Sequence, residues 1–430
     1  MTQPLCTVCI LGRQPALGLA ELESLYGPGA LALVSPHVAG LSLEANQINF
    51  ERLGGSTRVG NVLGTIDSNN WNVIEKTLIA LVKSSAFAIP TSGKFHLGLS
   101  SFGFDVSPAK LNALGLTLKK ILRARHTGSV RLVPNNEAQL STAQVYHSHL
   151  ADTQGAELLI IQTNSHKTIL ARTVAVQDID RYRVRDRGRP RRDARVGMLP
   201  PKLAQIIINL ASADANPVHG AVVLDPFCGT GVVLQEAIMM GFEVYGTDLE
   251  PRMVQYSDEN LLWLLGQPGC PVRDDRTTQA PDWRYFKLEQ ADATTHHWQP
   301  VPSIVACETY LGRPFTERPS PAVLAQTIAE VNTIIKKFLT NIHPQLASGS
   351  RLCLALPAWH MRQGWTLTHT KNEHYAPGSN PDAFRHLPVL GALETLGYKR
   401  VGFTHTASED LVYHREGQIV GRELVTLQRK

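Results

Sequence analysis

The stretch GAVVLDPFCGTGVVLQEAIMMGFEVYGTDLEPRMV, Gly220 to Val254, decides the fold. An apolar, β-branched run, AVVLD, ends in an acid. A glycine-containing loop follows, then a helix-length apolar segment, then a second strand, FEVYGTD, which again ends in an acid. Two short apolar runs flanking a helical segment read as a βαβ unit, and such units bind ligands at the carboxyl ends of their strands. The chain is therefore expected to be α/β in its second half.

Three ligands could explain the unit. A phosphate-binding P-loop needs Gly-Lys-Ser/Thr opening the helix, and GTGVV lacks the lysine. A dinucleotide fingerprint needs a third glycine or alanine where Leu234 stands, and that large side chain is expected to obstruct close helix–strand packing. S-adenosylmethionine carries no phosphate and brings a cationic ammonium group, which suits an acid beside the loop. On that reading Asp225 accepts from the ammonium, while Gly229 and Gly231 let the backbone pass close to it. Asp248, 23 residues beyond Asp225, is placed for the ribose hydroxyls. An ordinary crossover with incidental glycines is the plain alternative.

At 430 residues the chain suggests two or three domains, and 43% hydrophobic with 18% charged residues is the composition of a globular protein. No apolar run approaches the roughly 18 residues that a membrane span needs, so no membrane partner is expected. The N-terminus reads as a first strand, not a secretory signal. Six scattered cysteines argue against a disulfide framework and for a reducing, cytoplasmic setting. Cys6 and Cys9 form a lone C-x-x-C without a second pair, so no metal site is expected.

The positive charge is concentrated. RYRVRDRGRPRRDAR, Arg181 to Arg195, carries eight arginines against Asp186 and Asp193, a local +6 in a chain of net +5, which leaves −1 for all other residues. A solvated connector would serve equally well with lysine, yet the run has none. Arginine brings a planar fork for phosphate oxygens and a face that stacks on bases, so Arg185, Arg187, Arg189, Arg191 and Arg192 are candidate nucleic-acid contacts. Before this linker, short strands alternate with short helices. TVCILG is read as a strand and PALGLAELESLYG as a helix opened by Pro15. KFHLGLSSF is a strand, and a helix follows it with Ser107 as cap and Pro108 at its first position. AELLIIQT and TILARTVAVQD form a hairpin across NSHK. Two small α+β units, divided near residue 90, fit this pattern.

These residues resemble a family. DPFCGTG with GTDLEP looks like the cofactor-binding core of class I methyltransferases that modify exocyclic amino groups. RPRRDARVGMLPPKLAQIIINLA is similar to the segment joining a THUMP domain to the catalytic domain in tRNA guanosine-N2 methyltransferases. LVYHREGQIVGRELVTLQR looks like their closing antiparallel strands. The resemblance implies a ferredoxin-like domain over 1–90 and a THUMP-like RNA-binding domain over 91–178. An arginine-rich linker over 179–200 and a Rossmann-like methyltransferase domain over 201–430 would follow. It implies S-adenosylmethionine as cofactor, tRNA as partner and room for a small activator subunit. Asp225, Phe227, Gly229 and Gly231 would cradle the methionine part. Asp248 and Leu249 would hold the ribose and one adenine face, and Asp292 would meet the adenine amino group.

One stretch departs from that family. PSIVACETYLG, Pro302 to Gly312, occupies the place of the fourth strand and its loop, where the family has Asp or Asn, two prolines and an aromatic residue. An exocyclic amino group is a poor nucleophile, and an acceptor oxygen with a stacked ring holds it in line with the methyl group. Aligned without a gap, the acid becomes Cys307. Aligned with one residue fewer, Glu308 is the acceptor and Tyr310 the stacking ring, with Pro314 near enough to stiffen the loop. The second alignment is preferred. The implied reaction is methyl transfer to the N2 atom of a guanosine in tRNA. A non-catalytic RNA-binding paralogue and a DNA amino-methyltransferase stay open beside it.

Overall fold

The computed structural model describes residues 4–193, 198–213, 220–271, 286–315, 317–361 and 384–430. The chain divides into two units. The first holds Met1–Leu19, Gly27–Glu51 and Gly55–Arg181, and the second holds Ala20–Tyr26, Arg52–Gly54 and Tyr182–Lys430.

The first unit is built on one eight-stranded sheet. Its strands are β1 (Thr7–Leu11), β2 (Leu31–Ser35), β3 (Val38–Leu41), β4 (Ser56–Ile66), β5 (Lys94–Phe102), β6 (Ser129–Leu132), β7 (Gly155–Gln162) and β8 (Thr168–Val176), in the order β2-β3-β1-β4-β8-β7-β5-β6. Four helices open in this part of the chain: α1 (Pro15–Tyr26), α2 (Trp71–Lys83), α3 (Pro108–Arg123) and α4 (Thr142–His147). Helix α3 starts where the sequence signals it, with the Ser107 hydroxyl accepting from Lys110 N–H at 3.3 Å. It buries Leu111, Leu114, Leu118 and Leu122, the stripe that a 3.6-residue period dictates.

The expected division near residue 90 is not a break in this unit. β4 pairs antiparallel with β8 from Arg58↔Val176 to Ile66↔Thr168, so one ladder crosses the supposed boundary. A buried carboxylate fastens it. Glu157 on β7 accepts from Arg58 of β4, Ser100 of β5 and Thr173 of β8, each at 2.6 Å. A charge this deep persists only when its acceptor sites are filled, and here three strands fill them.

The second unit carries a nine-stranded sheet with β9 (Val222–Asp225), β10 (Glu243–Asp248), β11 (Phe286–Gln290), β12 (Ile304–Glu308), β13 (Arg351–His360), β14 (Phe384–Arg385), β15 (Tyr398–Arg400), β16 (Val412–Tyr413) and β17 (Val420–Arg429). The path β11-β10-β9-β12-β13 is parallel, and β17 and β15 close it antiparallel. The chain order reverses between β9 and β12, the topological switch point where open α/β sheets bind ligands. After the five-residue α5 (Ile179–Arg183), helices α6 (Pro201–Ser212), α7 (Val232–Met239), α8 (Pro251–Leu265) and α9 (Pro321–Ile342) flank the sheet. Phe338 and Leu339 of α9 are buried in one cluster with Trp298, Trp359 and Tyr398.

Leu234 does not obstruct the packing of α7 on β10. The residue opposite is Gly246, where a Cβ would lie 2.4 Å from Leu234 Cδ1. The missing side chain on the strand makes room for the large one on the helix. Leu234 is thus compatible with close helix–strand packing, and the acids at the strand ends are what favour a cationic ligand over a pyrophosphate.

Candidate functional site

Three adjacent parallel strands, β10, β9 and β12, each end in a carboxylate: Asp248, Asp225 and Glu308. Asp225 is almost fully buried, and its Oδ1 accepts from Phe227 N–H at 3.1 Å. Burial pushes its carboxyl well above the usual carboxylate range, and the neighbouring Asp248 and Glu308 push the same way. Asp248 is raised by burial too, against the N–H groups of Glu250 and Gly229, each 2.9 Å from its carboxylate. Asp248 thus draws the glycine loop and the start of α8 onto the end of β10.

The loop is held from below by α8. Ser257 Oγ donates to Gly229 O at 2.8 Å, and Asn260 Nδ2 donates to Thr230 O at 2.8 Å. Gly231 opens α7 at φ +79°, and a Cβ there would meet Ser257 Oγ at 2.9 Å, so both conformation and space demand glycine. Ser257 and Asn260 hold the loop in place, and sequence reasoning missed both. Their only signal is a polar pair, three apart, on the buried face of an amphipathic helix. Phe227 packs edge-on against Phe338, with ring centroids 5.2 Å apart, and its ring is committed to the core. Leu249, 63% exposed beside Asp248, leaves a large apolar side chain free at the mouth. Asp292 is exposed just past β11, its Oδ1 accepting from Thr294 N–H and Oγ1, while Ala291 N–H donates to Asp248 O at 3.0 Å. The structure therefore brings Asp225, Gly229, Gly231, Asp248, Leu249 and Asp292 to one end of the sheet.

On the β12 side, Cys307 is fully buried in the core cluster and Glu308 is the strand's last residue. Burial raises Glu308, and Arg422 of β17 opposes this by donating its Nε–H to Glu308 Oε1. Thr309 turns inward, with N–H and Oγ1 both directed to Ala355 O at 3.1 and 3.2 Å. Tyr310 is 43% exposed beside it. The stiffening expected of Pro314 is supplied elsewhere. Gly312 has φ +86°, with no room for a Cβ against Thr327, and Arg313 Nε donates to Thr327 Oγ1 at 3.2 Å.

The arginine run needs a correction. Arg185 is buried and bonded to Glu236 at 2.7 Å, with its guanidinium 4.7 Å from the Tyr182 ring centroid. Arg189 is buried as well, and burial lowers its basicity. Neither is exposed to meet a phosphate. Arg191 is exposed but paired with Glu259, and its backbone N–H and C=O both bond Asn260. Arg187 and Arg192 remain exposed. Arg195 lies outside the described residues. The run is a docked strap because α7 and α8 present the acids that hold it.

The carboxylates suit a cationic ligand. Asp225 is buried, and the two neighbouring acids, Asp248 and Glu308, push its carboxyl further up, so a cation brought by a ligand would favour its ionised form. Among the described residues, no cluster of three or more His, Cys, Asp or Glu could hold a metal ion, and no helix is long and apolar enough to cross a membrane.

Comparison with known proteins adds the following. A family model described as DNA methylase matches residues 172–259. A tRNA (guanine(10)-N2)-dimethyltransferase of Methanothermobacter thermautotrophicus is 32% identical over 162 residues, 37% of this chain and 39% of that protein. Proteins of the same name from Pyrococcus abyssi and Methanocaldococcus jannaschii are 43% identical over 63 and 65 residues, 15% of this chain and 17% of each of theirs. The match thus spans about two fifths of the first relative's length (39%) and less of the others. Among solved structures, TrmN from Thermus thermophilus is 14% identical with a TM-score of 0.46, covering 99% of this chain and 100% of that one. SMU.472, a putative methyltransferase complexed with SAH, is 10% identical with a TM-score of 0.44, covering 100% of this chain and 99% of that one.

Proposed function

We propose that this chain is an S-adenosylmethionine-dependent methyltransferase acting on the exocyclic N2 amino group of a guanosine in tRNA. The observation that carries the reading is the trio of carboxylates ending β10, β9 and β12 around the glycine loop, with an exposed tyrosine two residues past the third acid. When bound, the cofactor supplies an electrophilic methyl group carried on a positively charged sulfur. Asp225 meets its ammonium group, Asp248 its ribose hydroxyls, Leu249 one adenine face and Asp292 the adenine amino group. Glu308 accepts an N–H from the target amino group, which points the nitrogen lone pair away from the carboxylate. Tyr310 stacks on the base. The target base has to leave its stack to reach this depth, at a cost of a few kcal/mol that contacts to the rest of the RNA offset.

The guanosine and the tRNA are supported by the names of the relatives. The first unit is proposed as the RNA-binding half, a ferredoxin-like and a THUMP-like part fused through the β4–β8 ladder. Arg187 and Arg192 of the second unit are proposed as phosphate contacts. Their replacement by glutamine should flatten the slope of log affinity for tRNA against log salt by roughly 0.7–0.9 per lost contact. A cytoplasmic setting follows from the substrate.

The DNA reading draws on the family model, whose match ends at residue 259, before β12 and the base-side loop. It therefore covers the cofactor half alone. The non-catalytic reading draws on the ion pair that occupies Glu308. One experiment separates all three. The protein is incubated with labelled cofactor and unmodified tRNA or DNA, and the nucleosides are identified after digestion. Label in N2-methylguanosine from tRNA is the expected result. Label in DNA, or in neither while cofactor binds, would replace this reading with one of the others.

A further inference from the structure

We propose that Arg422, on the closing strand β17, is the positioning residue for Glu308: it fixes one carboxylate oxygen and leaves the other to accept from the target amino group. This rests on the amino-methyltransferase reading of the site.

The geometry is specific. Arg422 Nε donates to Glu308 Oε1, and among the described residues no hydrogen bond reaches Oε2. The two side chains are 6% and 16% exposed, so the pair is shielded from water on most sides. Arg422 lies opposite Pro357 of β13, and Glu308 opposite Ala355 of the same strand, so the guanidinium reaches across β13 to the end of β12. Asp225 of β9 lies on the adjacent strand, and Glu308 pushes its carboxyl up. Cys307 of β12 and Cys353 of β13 are the neighbouring titratable groups, and burial keeps both thiols protonated. Glu423 alternates to the other face of β17, where Arg400 and His386 hold it.

The chemistry follows. A carboxyl buried beside Asp225 without a cation would take up a proton, and a protonated carboxyl offers an O–H donor where an acceptor is needed. Burial raises Glu308, and the Arg422 guanidinium opposes it by favouring the ionised form. A single bond through Nε to one oxygen also restricts the carboxylate's rotation, in a loop that lacks the paired prolines of the family from which it departs. The rigidity here comes from a strand more than a hundred residues away.

The test uses selectively 13C-carboxyl-labelled glutamate in the full-length protein, with the Glu308 signal assigned by its loss in Glu308→Gln. In Arg422→Gln the Glu308 titration should move up by about 1–3 pH units, the size of a neighbouring-charge effect. The acid limb of kcat against pH should move with it, while KM for S-adenosylmethionine stays near wild type. Arg422→Lys keeps the charge and should restore the titration, with kcat recovering only in part because the aligned Nε–H is lost. Should Arg422→Gln fail to fold, Arg422→Lys still decides: a restored titration with full kcat would refute the positioning role. An unmoved Glu308 titration in Arg422→Gln would overturn the proposal outright. Wild type that methylates neither tRNA nor DNA would sink the functional reading instead, and the titration would still report Arg422's hold on Glu308.

Discussion

The loop after β9 and the loop after β12 serve the same end of the sheet but are built differently. The first is held by its own neighbourhood: Asp248 accepts from Gly229, and Ser257 and Asn260 donate to Gly229 and Thr230, all within about one βαβα passage. The second is held from far away, by Arg422 on Glu308 and by Ala355 O on Thr309. Their electrostatics differ as well. Among the described residues no cation pairs with buried Asp225, whereas Glu308 has a guanidinium in contact. A site can therefore look intact in one loop and altered in the other while both are fully specified by the fold.

The sharpest way to break this comparison is to neutralise one acid on each side. Glu308→Ala leaves Arg422 buried and unpaired and should lower stability by about 3–5 kcal/mol in urea denaturation. Adding Arg422→Leu should recover most of that loss, since removing both partners strands no charge. Asp225→Asn should leave the ligand-free protein as stable as wild type or more so, because no cation loses its partner. Cofactor affinity should fall nonetheless. Equal destabilisation by Glu308→Ala and Asp225→Asn would erase the distinction between the loops.

A second way is to press on the packing beneath the first loop. Gly246→Ala puts a methyl group within 2.4 Å of Leu234 Cδ1 and 2.7 Å of Leu288 Cδ2. Overpacking of that kind costs about 1–3 kcal/mol. Leu234→Ala made together with it should restore much of the stability. If the double variant is no better than Gly246→Ala alone, the helix–strand fit is not what fixes this glycine.

These contrasts explain how much was legible. The βαβ unit was readable because its acids, glycines and apolar runs lie within 35 consecutive residues and obey local periodicities. Strands β1, β5, β7 and β8, the α3 cap and the hairpin across Asn164–Lys167 were legible for the same reason, while β2, β3 and β4 were not read. The preference for Glu308 over Cys307 came from the need for an oxygen acceptor; the structure buries the Cys307 thiol in the core and ends β12 on Glu308. Arg422 was invisible: an arginine in GRELV looks like any strand residue until β13 and β17 pair. The continuity of the first sheet was invisible too, because Glu157 has no local partner and gains its three only on folding. The arginine run misled because charge density was read as exposure, while Glu236 and Glu259 wait on helices to which no sequence pattern links it.

The first loop can also be sharpened by its protons. Asp225 is raised in the free protein, chiefly by burial, and a ligand ammonium group would favour its ionised form. Binding should then release protons, and affinity should fall as pH is lowered through the free-state value, by at most about tenfold per pH unit for each proton released. Calorimetry in buffers of different ionisation enthalpy reads this directly. Buffer-independent heats near neutral pH would mean that the ligand meets a carboxylate already ionised.

The smallest effect lies on β17 beside Arg422 and separates its two faces. Glu423 accepts from Arg400 at 2.9 Å and lies 2.6 Å from His386 Nδ1, and this hydrogen bond raises the imidazole above its ordinary value against the opposing pull of burial. A base raised on folding adds stability that is fully present below its unfolded pKa, about 6.5, and is lost as pH rises through the folded value. The pair is partly exposed and Arg400 remains on Glu423 when the imidazole deprotonates, so about 0.2–1 kcal/mol is expected. His386→Gln should therefore be less stable than wild type at pH 5.5–6, and the gap should narrow as pH rises past the folded value. The Glu308 face should not follow, since the arginine there keeps its charge throughout. A gap that stays constant with pH would show that His386 contributes packing alone. A cofactor affinity that tracked the same limb would show that the two faces of β17 are coupled.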